Sequence, residues 1–470
     1  MLDLTSPFRD FLTALDHREI SARELLGLHL DRIAERDPDI GAVVTVDAER
    51  AAQEAAVVDD ARAVGKTVGT LAGLPITIKD AIATAGMRST GGAIELADHV
   101  PDEDATVVRR LRDAGAVIFG KTNLPRWSAD YQSTNEMFGT TNNPWDVERT
   151  PGGSSGGAAA AVAMGFTSFE VGTDIGGSVR LPASFCGIYG HKPSFGVVPT
   201  FGYLDNPLFH RSTADVNVFG PLARSLDDLE MVFDLIVGPS PDDASAWRLD
   251  LPPTRATALD DFRVAAWLDD PFSPVEPDVA AVHDDLIQAL SAAGAKVDHR
   301  ARPQFDPRAA SLLGTTLIGN ATTLSDTEEE HAANVAAGRQ LSHRDWDLLD
   351  RQRSVVRQRW AAFFEHIDVL LCPVTVTPPF RHVHSTLGSN FAHSVLEECN
   401  DRPYVDLLMW NSMIGSAYLP VTVVPIGRTT DGLPIGVQVV APYLNDRTAL
   451  AFARRIIEIV GGYEPPPLAR

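Results

Sequence analysis

Cysteine is scarce in this sequence, and it contains no long apolar run. Among 470 residues there are three cysteines, Cys186, Cys372 and Cys399, and their spacing is not that of a metal site. A sparse and odd number of cysteines argues against a disulfide framework and favours a reducing compartment. No apolar run is long enough to cross a bilayer, and the first residues lack the basic and apolar regions of a secretory signal. We therefore expect a cytoplasmic protein.

Positive charge is scarce as well. The chain has 40 lysines and arginines against 63 aspartates and glutamates, which gives a net charge of −23. A surface of this sign repels nucleic acids and anionic membranes. We accordingly expect a small-molecule partner, no nucleic acid and no membrane, for a protein that is a monomer or a homodimer.

Lysine is the rarer of the two strong cations, and its positions are Lys66, Lys79, Lys121, Lys192 and Lys296. Lys79 stands near the end of a strand that the apolar alternation predicts over residues 74–80. A lysine acts as a base only when it is neutral, which requires burial or neighbouring positive charge. Lys79 is therefore the candidate base.

Two clusters of glycine and serine, residues 152–157 and 176–178, are the most informative feature of the sequence. Glycines beside a serine let the backbone approach a ligand closely and leave N–H groups for a developing oxyanion. A strand predicted over residues 168–172 leads into the second cluster, whereas turn-forming residues 143–151 precede the first. The pattern indicates a serine nucleophile with a second serine beside it.

Two other motifs match the first cluster in part. The glycine spacing of residues 152–157 fits a phosphate-binding loop, but Ala158 and Ala159 stand where that loop needs lysine and then serine or threonine. The pattern Gly-x-Ser-x-Gly occurs twice, centred on Ser154 and on Ser155, as in the nucleophile elbow of an α/β-hydrolase. An elbow needs a buried strand directly before it, and none is predicted there. An esterase of the α/β-hydrolase type is therefore the second alternative.

The chain as a whole resembles the amidase signature family of serine hydrolases. The segments that carry the resemblance are residues 74–80, 120–123, 139–146, 152–180, 182–187, 192–193 and 431–438. The resemblance spans nearly the full chain and is weakest at about residues 240–360. With the alternating helix and strand patterns, it implies an α/β fold in which helices cover both faces of a large, mixed, twisted β-sheet.

We expect one amidase signature domain, residues 1–470, with four parts. These are the N-terminal helices (1–65), the catalytic core with the signature motif (66–236), a variable helical insertion (237–360) and the C-terminal part of the core sheet (361–470).

The resemblance implies a catalytic triad of two serines and a lysine that needs neither a metal nor a cofactor. In this sequence Ser178 would be the nucleophile, Ser154 the bridging serine and Lys79 the base. The family also implies a cis peptide bond between Gly153 and Ser154. The oxyanion hole would be formed by the backbone N–H groups of Ile175, Gly176, Gly177 and Ser178.

Three further residues are expected to support this site. Ser155 either forms a hydrogen bond to the triad or caps the helix predicted from about Ala158. Asp174 and Arg180 flank residues 175–178, which we call the oxyanion loop. The two side chains are expected to hold this loop by forming an ion pair. Contact between Arg180 and a carboxylate of the substrate is the alternative for that residue.

The expected activity is that of an amidase, a hydrolase that cleaves the C–N bond of linear carboxylic amides through a Ser178 acyl-enzyme. Apolar residues around the motif indicate a hydrophobic or aryl substrate, and the same chemistry extends to anilides, esters and carbamates (urethanes). The expected pocket residues, with core packing as the alternative, are Trp127, Tyr131, Met137, Phe138, Tyr203, Trp410 and Ile414. The principal alternative is the amidase component of a tRNA-dependent amidotransferase, against which the acidic charge and residues 201–203 argue.

Overall fold

The computed structural model of the chain describes residues 2–204, 213–322, 341–383, 390 and 394–470. The α-helices within these ranges are α1 (Phe8–Asp16), α2 (Ala22–Ile40), α3 (Ala48–Ala63), α4 (Thr106–Asp113), α5 (Gly156–Met164), α6 (Arg180–Cys186), α7 (Leu226–Ile236), α8 (Pro277–Ala292), α9 (Pro307–Thr322), α10 (His343–Phe364), α11 (Met409–Gly415) and α12 (Asp446–Val460).

The β-strands in the same ranges are mostly short. They are β1 (Val43–Val46), β2 (Pro75–Lys79), β3 (Val117–Thr122), β4 (Thr134–Asn135), β5 (Gly139–Thr140), β6 (Glu170–Asp174), β7 (Tyr189–Lys192), β8 (Val218–Ala223), β9 (Val264–Ala266), β10 (Val297–Asp298), β11 (Val369–Pro373), β12 (Val395–Leu396), β13 (Arg402–Pro403), β14 (Val421–Arg428) and β15 (Pro434–Val440).

Eight of these strands form one mixed sheet in the order β10, β9, β11, β15, β14, β7, β8, β6. Strand β9 runs parallel to both of its neighbours, β10 and β11. The other neighbouring strands of the sheet are antiparallel, in the pairs β11–β15, β15–β14, β14–β7, β7–β8 and β8–β6. Gly190 of β7 packs against Ala183 of α6, whereas the next residue, His191, contacts Asp446 of α12. Since successive side chains of a strand point to opposite faces, α6 and α12 cover different faces of the sheet. The predicted α/β fold with a large mixed sheet is confirmed.

A second sheet carries Lys79. It has three strands in the order β1, β3, β2, in which β2 is parallel to β3 and β1 is antiparallel to β3. Every residue of β2 is buried. The hydroxyl of Thr77 in β2 donates to the Glu170 carboxylate of β6 over 2.7 Å. The two sheets therefore meet along their edge strands, β2 and β6.

Helix α5 brings the first glycine–serine cluster to this junction. All of its residues are buried, as its alanine-rich sequence allows. A Cβ atom on Gly157 would lie 2.5 Å from the backbone of Asn123, which follows β3, so only glycine fits at that point of the helix. The start of α5 is thus pressed against the end of β3, beside Lys79.

The segment 237–360, expected to be a helical insertion, also contains two strands of the eight-stranded sheet. It provides β9 and β10 at one edge of the eight-stranded sheet as well as α8, α9 and α10. Strand β9 pairs in parallel with β11, which belongs to the C-terminal part of the chain. The segment is therefore joined to the core sheet by backbone hydrogen bonds.

Candidate active site

Lys79 lies at the end of β2 with no exposed surface. Its Nζ is 2.7 Å from the Oγ of Ser154 and 2.7 Å from the Oγ1 of Thr173 in β6. Burial lowers the pKa of Lys79 well below its usual range, although the carboxylates of Asp174 and Glu170 oppose this shift. The geometry thus gives a lysine that loses its proton more readily than one in water, in contact with a serine hydroxyl.

Ser154 of the first cluster contacts Lys79, and the backbone before Ser154 has an uncommon conformation. The peptide bond between Gly153 and Ser154 is cis, as the family resemblance implies. A Cβ atom on Gly153 would lie 2.7 Å from the carbonyl oxygen of Asp130, so the residue before Ser154 has to be glycine. Residues 141–155 contain no strand, so the first cluster does not form the strand-to-helix elbow of an α/β-hydrolase.

Ser155 joins the two clusters. Its N–H donates to the carbonyl oxygen of Ser178 over 3.2 Å. Its hydroxyl donates to the carbonyl oxygen of Thr173 and accepts from the N–H of the same residue. It makes no capping hydrogen bond to α5, although it occupies the N-cap position. Ser155 therefore supports the site by tying the first cluster to β6 and to Ser178.

Ser178 belongs to the second cluster, which follows β6. Only 6 % of this residue is exposed to solvent. The loop before it is held by Asp174, whose carboxylate accepts from the N–H groups of Gly177 at 2.8 Å and Val179 at 3.1 Å. Because the N–H of Gly177 is used in this way, the backbone donors that remain for an oxyanion are those of Ile175, Gly176 and Ser178.

Asp174 and Arg180 form a fully buried ion pair, with Arg180 Nη2 2.8 Å and Nε 3.0 Å from the carboxylate oxygens. Burial would raise the pKa of Asp174, but the charge and hydrogen bonds of Arg180 outweigh it and hold that pKa below its usual value. Arg180 also donates to Gln438 and to the carbonyl oxygen of Asn411. The guanidinium of Arg180 thus forms hydrogen bonds to Asp174, Asn411 and Gln438 within the protein.

Tyr131 contacts the same loop. Its hydroxyl donates to the carbonyl oxygen of Gly176. Burial raises the pKa of this hydroxyl, which keeps it protonated as a donor. The peptide unit between Gly176 and Gly177 is therefore held at both ends, by Tyr131 at its C=O and by Asp174 at its N–H.

The structure gives the following contacts for the other residues expected in a substrate pocket. Trp410 has no exposed surface, packs on Trp267 and Phe272, and donates its indole N–H to Ser273. Tyr203 packs edge-on against Phe219. The remaining placements are Trp127 in a small cluster with Ala93 and Leu96, Ile414 in the main core, and Met137 and Phe138 half-buried at the β4–β5 turn, where Arg88 lies over the Phe138 ring.

Two residues of the site are absent from the sequence predictions. Thr173 contacts the Lys79 amine, and its place in the signature motif directly before Asp174 is the signal that could have found it. Asn411 lies against the oxyanion loop, because a Cβ on Gly177 would be 2.7 Å from its Nδ2. Asn411 is far from Ser178 in sequence and has no local signal.

Lys121 and Lys192 are also buried, but their contacts lie away from the two serines. Lys121 Nζ donates to the carbonyl oxygen of Ile82 at 2.6 Å and to the Thr84 hydroxyl at 2.8 Å. Lys192 Nζ donates to the carbonyl oxygen of Pro193 at 2.9 Å. Burial lowers their pKa values to about 8 and about 7 respectively. These contacts are those of structural residues.

Within the described ranges, no group of three or more His, Cys, Asp or Glu side chains is arranged to hold a metal ion. None of the helices in the same part of the chain is both long enough and apolar enough to pass through a membrane.

Comparison with known proteins identifies the family. A family model described as Amidase matches residues 24–450. The A subunit of the glutamyl-tRNA(Gln) amidotransferase of Moorella thermoacetica is 33 % identical over 93 % of this chain and 93 % of the relative. The protein of the same name from Thermosynechococcus vestitus is 32 % identical over 92 % and 94 %. A bacterial aryl acylamidase structure has a TM-score of 0.81 at 25 % identity and covers 98 % of this chain and 99 % of that chain.

The chain belongs to the amidase signature family. It is an enzyme that acts on amide C–N bonds.

The curated relatives contradict the predicted function of an amidase with a hydrophobic or aryl substrate. They are named as one component of an amidotransferase, which was the principal alternative. The structure offers a physical reason for the error. Buried aromatic residues of the core and of an apolar pocket look alike in a sequence, and Trp410 and Tyr203 belong to the core.

The predicted partners are corrected by the same relatives. A small-molecule substrate without nucleic acid, handled by a monomer or homodimer, was expected, but the relatives are named as subunits of an enzyme of glutamyl-tRNA. The inference rested on the net charge of −23, which is summed over the whole chain. In an assembly, an acidic subunit does not itself have to bind an anionic partner, because another subunit can do so.

Proposed function

We propose that this chain is the amide-cleaving component of an amidotransferase assembly that acts on glutamyl-tRNA(Gln). The observation that carries the proposal is the identity of 33 % with a relative of that name over 93 % of both chains. The relation extends across the whole fold and is not confined to the signature motif. An assembly that modifies an aminoacyl-tRNA works in the cytoplasm, and we place this protein there.

We propose Ser178 as the nucleophile, Ser154 as the bridging serine and Lys79 as the base. The contact between Lys79 and Ser154 supports these roles, since their side-chain atoms are 2.7 Å apart. Neutral Lys79 accepts the proton of the Ser154 hydroxyl while Ser154 accepts that of Ser178, whose Oγ attacks the carbonyl carbon of a primary amide.

The tetrahedral oxyanion would then be stabilised by the N–H groups of Ile175, Gly176 and Ser178. When the intermediate collapses, the C–N bond breaks, and the proton returns through Ser154 to the leaving nitrogen, which departs as ammonia. Water attacks the Ser178 ester by the same relay and releases the carboxylic acid. In an amidotransferase the nitrogen is the useful product, and it would be passed on for transfer to glutamyl-tRNA.

The test uses the tagged chain isolated from its own cells with whatever proteins accompany it. We expect that the isolated material converts glutamyl-tRNA(Gln) to glutaminyl-tRNA(Gln) with glutamine as the amide donor. Material carrying Ser178→Ala should lose this conversion with glutamine but retain it with added ammonium, because the transfer step does not need the amidase site. A chain that purifies alone and does not support the conversion contradicts the proposal.

A further inference from the structure

A cavity of about 780 Å³ lies outside the triad and the oxyanion loop. Helix α10 forms one wall, and the segments before β14 and after β15 form another. The segment that includes Thr254 and Arg263 closes a third side. Residues 79, 154–155 and 174–180 take no part in its lining. Its volume is in the range of ordinary small-molecule sites.

Arg357 of α10 projects into this cavity from a fixed position. Its guanidinium lies 4.6 Å from the ring centre of Tyr418 and 5.1 Å from that of Tyr443. Both rings are held by their hydroxyls: Tyr418 donates to Asp215 at 2.9 Å and Tyr443 to the carbonyl oxygen of Phe195 at 3.1 Å. A guanidinium stacked on two fixed rings is already oriented before any ligand binds.

Arg357 has no carboxylate partner among the residues that the structure describes. The neighbouring Arg353 shows the contrast, since it is paired with both Asp215 and Asp350. The five N–H donors of Arg357 are therefore available for an anion.

The remaining charges of the cavity leave it positive. Arg263 is neutralised by Asp368, with Nη2 2.6 Å from the carboxylate. Arg255 also lines the cavity and forms no ion pair within the described ranges, although its charge helps to lower the pKa of Asp368. Glu365 is the further acidic group of the lining. Two unpaired arginines thus face one unpaired carboxylate.

The rest of the lining suits a flat apolar group. Ala361, Pro442 and Tyr443 offer accessible carbon surface, and Ser354 and Asn445 offer hydrogen-bonding groups beside it. A ligand that fills the cavity would place a charged end on the arginines and an apolar body on this carbon surface.

We propose that this cavity is a binding site for an organic anion that carries a carboxylate or phosphate on a planar apolar body. Arg357 binds the anionic group through its planar pair of N–H donors, which matches carboxylate and phosphate geometry. Arg255 supplies the second positive charge. The site is separate from the amide-cleaving centre, so its occupation does not require Ser178.

The test is calorimetric titration of the full chain with phenyl phosphate and with benzoate, which separates the phosphate from the carboxylate form of the ligand. Benzyl alcohol is the neutral probe of the same shape. We expect saturable binding of one or both anions at millimolar concentration or below and none of the alcohol. Arg357→Gln should weaken binding about tenfold or more, as expected for the loss of a charge-assisted pair of hydrogen bonds.

Arg359→Gln is the matched control, because Arg359 is an exposed arginine of the same helix that does not line the cavity. It should bind as the unmodified chain does, and so should Ser178→Ala. Unfolding by urea checks that Arg357→Gln remains folded, and Arg357→Lys should restore part of the affinity. Failure of both anions to bind at millimolar concentration overturns the proposal. So does equal binding by Arg357→Gln, or equal binding of benzyl alcohol.

Discussion

The Tyr131 hydroxyl and the Gly176 carbonyl form a hydrogen bond that fixes the oxyanion loop from the side opposite Asp174. Rotation of the peptide between Gly176 and Gly177 would break both contacts. Rotation would also redirect the N–H groups on either side of that peptide. Tyr131 therefore holds the loop that carries the proposed oxyanion donors.

Tyr131→Phe should lower kcat for ammonia release from glutamine about 10- to 100-fold with little change in KM, because the oxyanion forms after the substrate has bound. This is a loss of ~1–3 kcal/mol in transition-state stabilisation. Steady-state kinetics measure it. Tyr203→Phe is the matched control, since that tyrosine is buried and packs edge-on against Phe219. An unchanged kcat for Tyr131→Phe would contradict the positioning role.

Ser178→Ala should lower kcat about 10³-fold or more, as removal of a nucleophile usually does. The isolated assembly with glutamine as substrate is the appropriate material, with released ammonia as the readout. Ser168→Ala provides the comparison, because Ser168 is a buried serine near the start of β6 whose hydroxyl has no hydrogen-bond partner among the described residues. If Ser178→Ala and Ser168→Ala retain the same rate, Ser178 is not the nucleophile.

The pH dependence of kcat/KM should report the titration of Lys79. Below its pKa the lysine is protonated and cannot accept a proton, so activity should rise with pH and then level off. Burial lowers this pKa well below 10.5, and the rise should therefore be complete at a correspondingly lower pH. Lys121→Met tests the assignment, because Lys121 is also buried and its amine donates to Ile82 and Thr84 instead of to a serine. A rise centred near 10.5, or one that disappears in Lys121→Met, would refute it.

Arg180→Met should destabilise the fold by ~3–5 kcal/mol, because it leaves the buried Asp174 carboxylate without its partner. Urea unfolding measures the loss, and the double variant Asp174→Asn/Arg180→Met should recover part of it. The folded-state pKa of Asp174 is below its ordinary value of 3.8. The stability from this shift is therefore present above pH 3.8 and is lost as pH falls through the folded-state pKa. Equal stabilities of Arg180→Met and the unmodified chain would contradict this account.

The site residues that the sequence indicated are those with a local signal. Lys79 is recognisable because lysine is rare and because it ends an apolar strand, and Asp174 and Arg180 lie within one motif. Tyr131 and Asn411 meet the site through tertiary packing, which no local pattern encodes, whereas Thr173 has a local signal in its place directly before Asp174. The prediction for Tyr131 rested on its aromatic ring, but it is its hydroxyl that contacts the loop.

The α/β class was predictable from the alternating helix and strand patterns, and the large mixed sheet was implied by the resemblance to the amidase signature family. The separation of β1, β2 and β3 into their own sheet was not predictable, since strand pairing depends on contacts distant in sequence. Aromatic side chains gave no means to distinguish a pocket from a core, as Trp410 demonstrates. Net charge gave no information about the subunit assembly for which the relatives are named.

The junction of the two sheets has a consequence for how activity is gained during folding. Lys79 comes from the three-stranded sheet, whereas Thr173 and Ser178 belong to the last strand of the eight-stranded sheet and the loop after it. Neither sheet alone contains all residues of the proposed relay. A folding intermediate in which only one sheet has formed would be inert, so a growing or partly degraded chain would release no ammonia before the two halves have joined.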